Sequence, residues 1–257
     1  MNELPQELID EIIDSIDSIE RAGRSSLAAC SLVNRSWRRR SQKRLFSSVE
    51  FWREGRLEKW YHIVSQNGEL SSYVRRLRWS VRRIGFHDIE LHGRSPPFSN
   101  LRHLRISDLS LHALDSAAIK RIFGSFGHSL QYLHISRLTV DPGKWRLWNS
   151  LLPCLQSLVL SRVCMVEEVV FDKDNQPPFT FTGHIGSCNP HTVQFFRWVA
   201  RFRPCLRGIT VTGINREVIE TLNLVVKNCS ATLTTIILRL GSNRRERGNP
   251  QLALCAK

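Results

Sequence analysis

Leu101-Arg102-His103-Leu104-Arg105-Ile106 is the stretch from which the rest of the chain can be read. Its apolar positions, spaced as L-x-x-L-x-L, recur as Phe46/Val49/Phe51, Val74/Leu77/Trp79, Leu130/Leu133/Ile135, Leu155/Leu158/Leu160, Leu206/Ile209/Val211 and Leu233/Ile236/Leu238. Successive trios start 28, 27, 29, 25, 51 and 27 residues apart. A period of that size implies one supersecondary unit per repeat, each burying its apolar face against the next. The interval of 51 is close to two periods, so a further unit is expected around Phe179-Thr180-Phe181, after the loop from Asp172 to Pro178. The segments between trios carry helical stripes. These are Leu57, Trp60, Tyr61 and Val64; Leu114, Ala118, Ile122 and Phe126; Trp145, Trp148, Leu151 and Leu152; Val193, Phe196, Val199 and Ala200; and Val218, Leu222, Val225 and Val226. In Leu152-Pro153-Cys154-Leu155 and Arg203-Pro204-Cys205-Leu206 a proline stops the helix just before the strand. Each repeat thus pairs an apolar trio with a helical stripe.

Residues 1–46 follow a different pattern. Pro5 suits the first turn of a helix, and Glu7, Asp10 and Glu11 suit its N-terminus. Leu8, Ile9, Ile12, Ile13 and Ile16 then form one broad apolar face. Asp17 to Ser26 reads as a polar break containing Gly23, and Ser25 or Ser26 is expected to cap a short second helix carrying Leu27, Cys30 and Leu32. Asn34 is expected to cap a third helix, with Val33, Trp37, Ser41 and Leu45 at four-residue intervals. Its back is Arg38, Arg39, Arg40, Lys43 and Arg44. So short a segment can scarcely build a core alone, so it reads as half of an interface.

Leu4-Pro5, Glu7-Leu8-Ile9, Glu11-Ile12-Ile13, Ser31-Leu32-Val33 and Trp37, in this order and spacing, resemble an F-box. The form "LPQELIDEIIDSI…LAACSLVNRSW…RLF" is similar to the basidiomycete-type fungal F-box proteins. The later period and pattern resemble leucine-rich repeats. The fold class these resemblances imply is α plus α/β. A three-helix F-box would cover 1–46, and an irregular leucine-rich-repeat-like solenoid with a parallel sheet would cover 47–240. A basic tail, 241–257, shows no further repeat and is expected to be poorly ordered. Leu109, Leu138, Val163 and Ile214 stand where many such repeats place Asn or Cys, so no asparagine ladder is expected. The F-box resemblance implies docking on the Skp subunit of a cullin-based ubiquitin ligase through Leu4, Pro5, Leu8, Ile9, Ile12, Leu32, Val33 and Trp37. The repeats would hold a protein substrate, and ubiquitin transfer would fall to other subunits, so the chain is expected to be an adaptor and not an enzyme.

The search for chemistry agrees with that expectation. No G-x-S-x-G, P-loop, G-x-G-x-x-G or H-E-x-x-H pattern occurs. His184, Cys188 and His191 lie close together but lack a fourth ligand at a recognisable spacing. No catalytic residue, metal or cofactor is therefore expected. The seven cysteines are odd in number, scattered and never arranged as CxxC, which fits a reducing compartment. No apolar run reaches membrane-spanning length, and the acidic N-terminus lacks the order of a signal peptide. A cytoplasmic or nuclear location, or both, is expected, with no membrane partner.

The formal net charge is +14, unevenly placed: seven acidic and no basic residues precede Arg21, whereas eleven basic and three acidic residues lie between Arg21 and Lys59. This makes nucleic acid a candidate partner. No nucleic-acid module accompanies the charge, however, and the run Arg38 to Arg44 reads more simply as the solvated back of a helix than as a nuclear-import signal. One further basic surface is expected. Strand residues between and beside each trio face away from the core. They are Arg76, Arg78 and Ser80; His103, Arg105 and Ser107; Tyr132, His134 and Ser136; then the small or neutral Ser157, Val159, Ser161, Gly208, Thr210 and Thr212. Arginine forks suit carboxylate and phosphate. Arg76, Arg78, His103, Arg105, Tyr132 and His134 are therefore the candidate site for an acidic or phosphorylated protein segment. Two alternatives stand beside the adaptor: a basic nucleic-acid-associated scaffold, and an F-box protein acting outside ubiquitin ligation.

Overall fold

The structure is a computed structural model that describes residues 4–18, 20–52, 55–80, 98–165, 183–187, 193, 196–197, 200, 206–212, 216–239 and 251–255. It is a mixture of helix and parallel sheet. Three helices come first: α1 (Gln6–Ser15), α2 (Arg21–Val33) and α3 (Arg35–Leu45). Ile9 and Ile13 of α1 are buried with Leu27 of α2, and Ile16, Trp37 and Leu45 pack around them. Ser41 is buried on the same four-residue series as Trp37 and Leu45. Asn34 caps α3 as expected, its Oδ1 accepting the Trp37 N–H at 3.1 Å.

The polar break is shorter than the sequence suggests. Helix α2 begins at Arg21, so neither Ser25 nor Ser26 is its cap. Both lie inside the helix and donate to the carbonyls four residues back, Arg21 O and Ala22 O. Gly23 is likewise inside the helix, where the Asp17 backbone crosses it; a Cβ there would run into the Asp17 carbonyl oxygen. The glycine marks a close approach and not a loop.

Two residues after α3 the chain enters the sheet. In order come β1 (Ser48–Phe51), α4 (Arg56–Gln66), α5 (Glu69–Tyr73), β2 (Arg76–Ser80), β3 (His103–Ser110), α6 (Ser116–Gly124), β4 (Tyr132–Val140), α7 (Pro142–Ser150), β5 (Ser157–Met165), β6 (Gly183–Ser187), β7 (Leu206–Thr212), α8 (Arg216–Cys229), β8 (Thr235–Arg239) and β9 (Gln251–Cys255). Among the described residues these strands form one nine-stranded sheet in chain order. Neighbours from β1 to β8 run parallel. In the tail, read from the sequence as carrying no further repeat, β9 adds antiparallel to β8.

The apolar trios set the register. Val49, Leu77, Leu104, Leu133 and Leu158 pair in one row, and Phe51, Trp79, Ile106, Ile135 and Leu160 in the next. The first position of four trios, Val74, Leu101, Leu130 and Leu155, is buried just before its strand, whereas Phe46 and Leu233 are partly buried. The helical stripes pack on the same side of the sheet in one continuous core. Within it the Trp145 and Trp148 rings lie 4.6 Å apart, and Phe123 meets Trp148 edge-on at 5.8 Å, an arrangement that suits the ring quadrupoles. Buried Val193, Phe196 and Ala200 are helical and join the same core, while Val199 lies outside the described residues.

The missing unit exists, but its strand is β6, later than expected; residues 179–181 lie outside the described residues. Ile185 pairs with Leu158 and Ile209, while Ser187 takes the third trio position beside Leu160 and Val211. With serine there, a search for apolar trios passes over this strand. Leu109, Leu138 and Val163 pair in register, so β3, β4 and β5 run on through the positions that make no asparagine ladder; Ile214 lies outside the described residues. Just before those positions Asp108 and Arg137 adopt φ of 65° and 61°. Arg137 Nη2 donates to Asp108 Oδ2 at 2.7 Å and ties the two irregular positions together.

Candidate functional site

Helix α1 divides its apolar residues between two sides. Ile9 and Ile13 face the helical core, whereas Leu8 and Ile12 face outward, 46% and 44% exposed, and Leu4, just before the helix, is 53% exposed. At the end of α2, Leu32 and Val33 are 79% and 64% exposed. Gln6 Nε2 donates to Ser36 O at 3.3 Å, which ties the start of α1 to the α2–α3 corner. Five of the eight large exposed apolar residues among the described residues lie in this helical unit; Ile63, Ile219 and Leu224 are the others.

Of the expected partner-contact residues, Leu4, Pro5, Leu8, Ile12, Leu32 and Val33 are thus exposed. Ile9 is corrected: at 4% exposure it is a core residue, because the unit has few other side chains with which to join its helices. Trp37 is half-buried and packs against the same core, so its first task is to support the unit.

The basic run on α3 divides: Arg38, Arg39 and Lys43 are exposed on the back of the helix, whereas Arg40 and Arg44 are partly buried and engaged. Arg40 grips the Asp14 carboxylate with two hydrogen bonds, Nε to Oδ1 at 2.9 Å and Nη2 to Oδ2. That bond holds the Asp14 carboxyl below its ordinary range, against the opposing effect of burial. Arg44 Nη2 donates to Asp14 O at 3.0 Å and Ile16 O at 2.7 Å, satisfying carbonyls that the end of α1 leaves open. Arg38 Nε donates to Ser31 O at 3.4 Å, and Arg39 reaches Glu69 of α5 at 3.5 Å. Arg40 and Arg44 therefore staple α3 to α1, while Arg38 and Arg39 make surface contacts with α2 and α5. Hydrogen-bond partners some thirty residues away are not visible in the run itself.

The opposite surface, the open face of the sheet, brings all six candidate substrate residues into two adjacent rows. One row reads Ser48, Arg76, His103, Tyr132, Ser157 and His184; the next reads Glu50, Arg78, Arg105, His134, Val159 and Gly186. Ser80, Ser107, Ser136 and Ser161 align beside them. Strand spacing puts row neighbours about 4.8 Å apart, close enough for one extended ligand to touch several. Glu50, which no motif in the sequence singles out, accepts from Arg78 Nη1 at 3.1 Å and occupies part of its charge. The His103 and Tyr132 rings lie 5.6 Å apart. Burial, then Arg76 and Arg102, push His103 below the usual histidine range; burial, then Arg105, do the same to His134. The face therefore presents arginines beside imidazoles that gain charge only as a ligand or acid supplies the incentive. This arrangement suits anions.

His184 lies on β6, while Cys188 and His191 lie outside the described residues. Among the described residues no three His, Cys, Asp or Glu side chains cluster as a metal site, and no helix is long and apolar enough to cross a membrane. No protein-family model matches the chain, and no curated protein matches it.

Proposed function

We propose that the chain is a substrate-recognition adaptor of a Skp-cullin-F-box type ubiquitin ligase. In this reading residues 1–46 are the F-box that docks on the Skp subunit. The units that follow are an irregular leucine-rich-repeat solenoid whose open face holds an acidic or phosphorylated protein substrate. The observation that carries the reading is the exposure of Leu4, Leu8, Ile12, Leu32 and Val33 on a helical unit whose own buried apolar core is Ile9, Ile13 and Leu27. Fully burying one such aliphatic side chain contributes roughly 1.5–3 kcal/mol, so a partner covering all five has a strong incentive to stay. Adaptor action is proximity: a substrate held near a charged carrier meets it at a raised effective concentration, with no chemistry in this chain.

Co-purification with a Skp subunit tests the reading. Leu8→Asp combined with Leu32→Asp is expected to abolish retention with only a small change in thermal unfolding, because Leu32 is 79% exposed and Leu8 is half in water. Wild-type retention of the double variant would overturn the Skp contact. Trp37→Ala is a poorer probe, since its ring also supports the helical core. A second reading, a nucleic-acid-associated scaffold, has the His103–Tyr132 ring pair beside Arg76 and Arg105 in its favour. Salt-steep nucleic-acid binding without Skp retention would select it. Skp retention without substrate ubiquitination would select an F-box protein acting outside ligation.

A further inference from the structure

Where α3 meets the sheet, a cleft of about 360 Å³ opens between them, lined by Asp14, Ser18, Arg40, Lys43, Arg44, Ser47, Arg75 and Arg76. Five cations face one carboxylate. That carboxylate is already engaged: Arg40 holds both oxygens of Asp14, and Arg44 lies beside it. Lys43, Arg75 and Arg76 form no ion pair among the described residues. The main chain at Arg75 and Arg76 is nonetheless fixed. Their N–H groups both donate to Ser47 O, at 3.0 and 2.9 Å, and Arg75 O accepts from Arg102 and His103. The cleft thus combines an ordered floor with cationic side chains that make no ion pair among the described residues. Its volume is about ten times one water's share of the liquid, about 30 Å³, enough for a phosphoryl group and the side chain that carries it. Arg76 also belongs to the row that continues through His103 and Tyr132, so the cleft adjoins the open face.

We propose that this cleft is the phosphate subsite for a phosphorylated protein segment, with Lys43, Arg75 and Arg76 binding the phosphoryl oxygens while the flanking acidic residues lie across the sheet rows. The proposal rests on the reading of the open face as the substrate surface. A phosphoryl group carries nearly two charges and three acceptor oxygens, against one charge for a carboxylate, and clustered guanidinium and ammonium donors discriminate between them.

The test uses the full chain and three fluorescein-labelled Glu/Gly/Ser peptides that differ at one position: phosphoserine, serine or glutamate. Binding is read by anisotropy, with inorganic phosphate as competitor. Wild type is expected to prefer the phosphoserine peptide over the serine peptide by about 10-fold or more, and Lys43→Gln with Arg75→Gln is expected to erase that preference while changing glutamate-peptide binding by less than about 2-fold. Arg78→Gln with Arg105→Gln is expected to weaken all three peptides together. Absence of phosphate preference in wild type, or its persistence in the Lys43/Arg75 variant, overturns the proposal. In either case the loss seen with the Arg78/Arg105 variant still supports the open-face reading. If that variant binds the glutamate peptide like wild type, the open-face reading fails, and with it the premise of the subsite. A single-stranded oligonucleotide that outcompetes the phosphopeptide and loses affinity in the Lys43/Arg75 variant would assign the cleft to nucleic acid and overturn the phosphoprotein assignment.

Discussion

Leu8 and Ile9 are adjacent, aliphatic and on the same helix, yet they lie on different sides of it: Leu8 is half in water and Ile9 is 4% exposed. Truncation of Ile9 to Ala is expected to destabilise the chain by about 2–4 kcal/mol, as for other buried aliphatics. Leu8→Ala should change stability by less than about 0.5 kcal/mol and act on partner binding instead. Denaturant unfolding of both variants separates the two roles. The arginines of α3 divide in the same manner. Arg44→Ala leaves the Asp14 and Ile16 carbonyls without their charged donor, at a cost of about 1–2 kcal/mol. Arg39→Ala removes a pair whose side chains are 82% and 55% exposed and should be neutral within about 0.5 kcal/mol. Equal melting shifts for the two variants would contradict the stapling role.

At the scale of elements, the packing of one unit on the next depends on close backbone approaches. After α6 the chain passes so near the following unit that a Cβ on Gly127 would run into the Leu151 carbonyl oxygen and approach the Phe123 carbonyl. Backbone on both sides cannot move aside cheaply, so Gly127→Ala is expected to destabilise by about 3 kcal/mol or more. Gly124, three residues earlier at the end of α6, serves as the control, because a Cβ there would meet nothing within 4 Å. Alanine at that position should be neutral or stabilising by up to about 1 kcal/mol, through helix propensity alone. Thermal melts of the two variants should therefore move apart. The same dependence on neighbours explains β6: its serine and glycines offer little apolar area, yet the strand is held because β5 and β7 pair with it on either side.

At the scale of the molecule, and among the described residues, the basic charge near α3 and the first strands is arranged into two kinds of surface. On α3 part of it is engaged in internal staples, and at the cleft and open face it is available to an anion. His103 and His134 give that face a pH response. Both have folded-state values below the usual 6.5, chiefly through burial. The unfolded chain therefore binds protons more readily, and the stability contributed by neutral imidazoles is present above about pH 6.5 and lost as pH falls through that value toward the depressed ones. An acidic ligand acts in the opposite direction, because it favours the charged imidazoles. Affinity for a glutamate-rich peptide should rise between about pH 7.5 and pH 5.5 while the melting temperature of the free chain falls. Substituting both histidines with Gln should flatten both trends, and unchanged trends in that variant would show that other groups titrate.

The strand register was legible in the chain alone, because a period-2 side-chain alternation repeated every 25 to 29 residues leaves few alignments that keep every apolar trio on one face. The Asn34 cap and the apolar breadth of α1 were legible for a similar reason, since each depends on residues within a few positions of one another. The division of that breadth into Ile9 inside and Leu4, Leu8 and Ile12 outside was not. Nor were the helical place of Gly23, the stapling by Arg40 and Arg44, the strand β6 or the cleft at Lys43, Arg75 and Arg76. Each of these depends on what a distant part of the chain brings alongside: α2 against α1, Asp14 against α3, or the sheet edge against the last turns of α3. Local spacing sets which faces exist, and packing across the chain selects which of them are covered and which are left exposed.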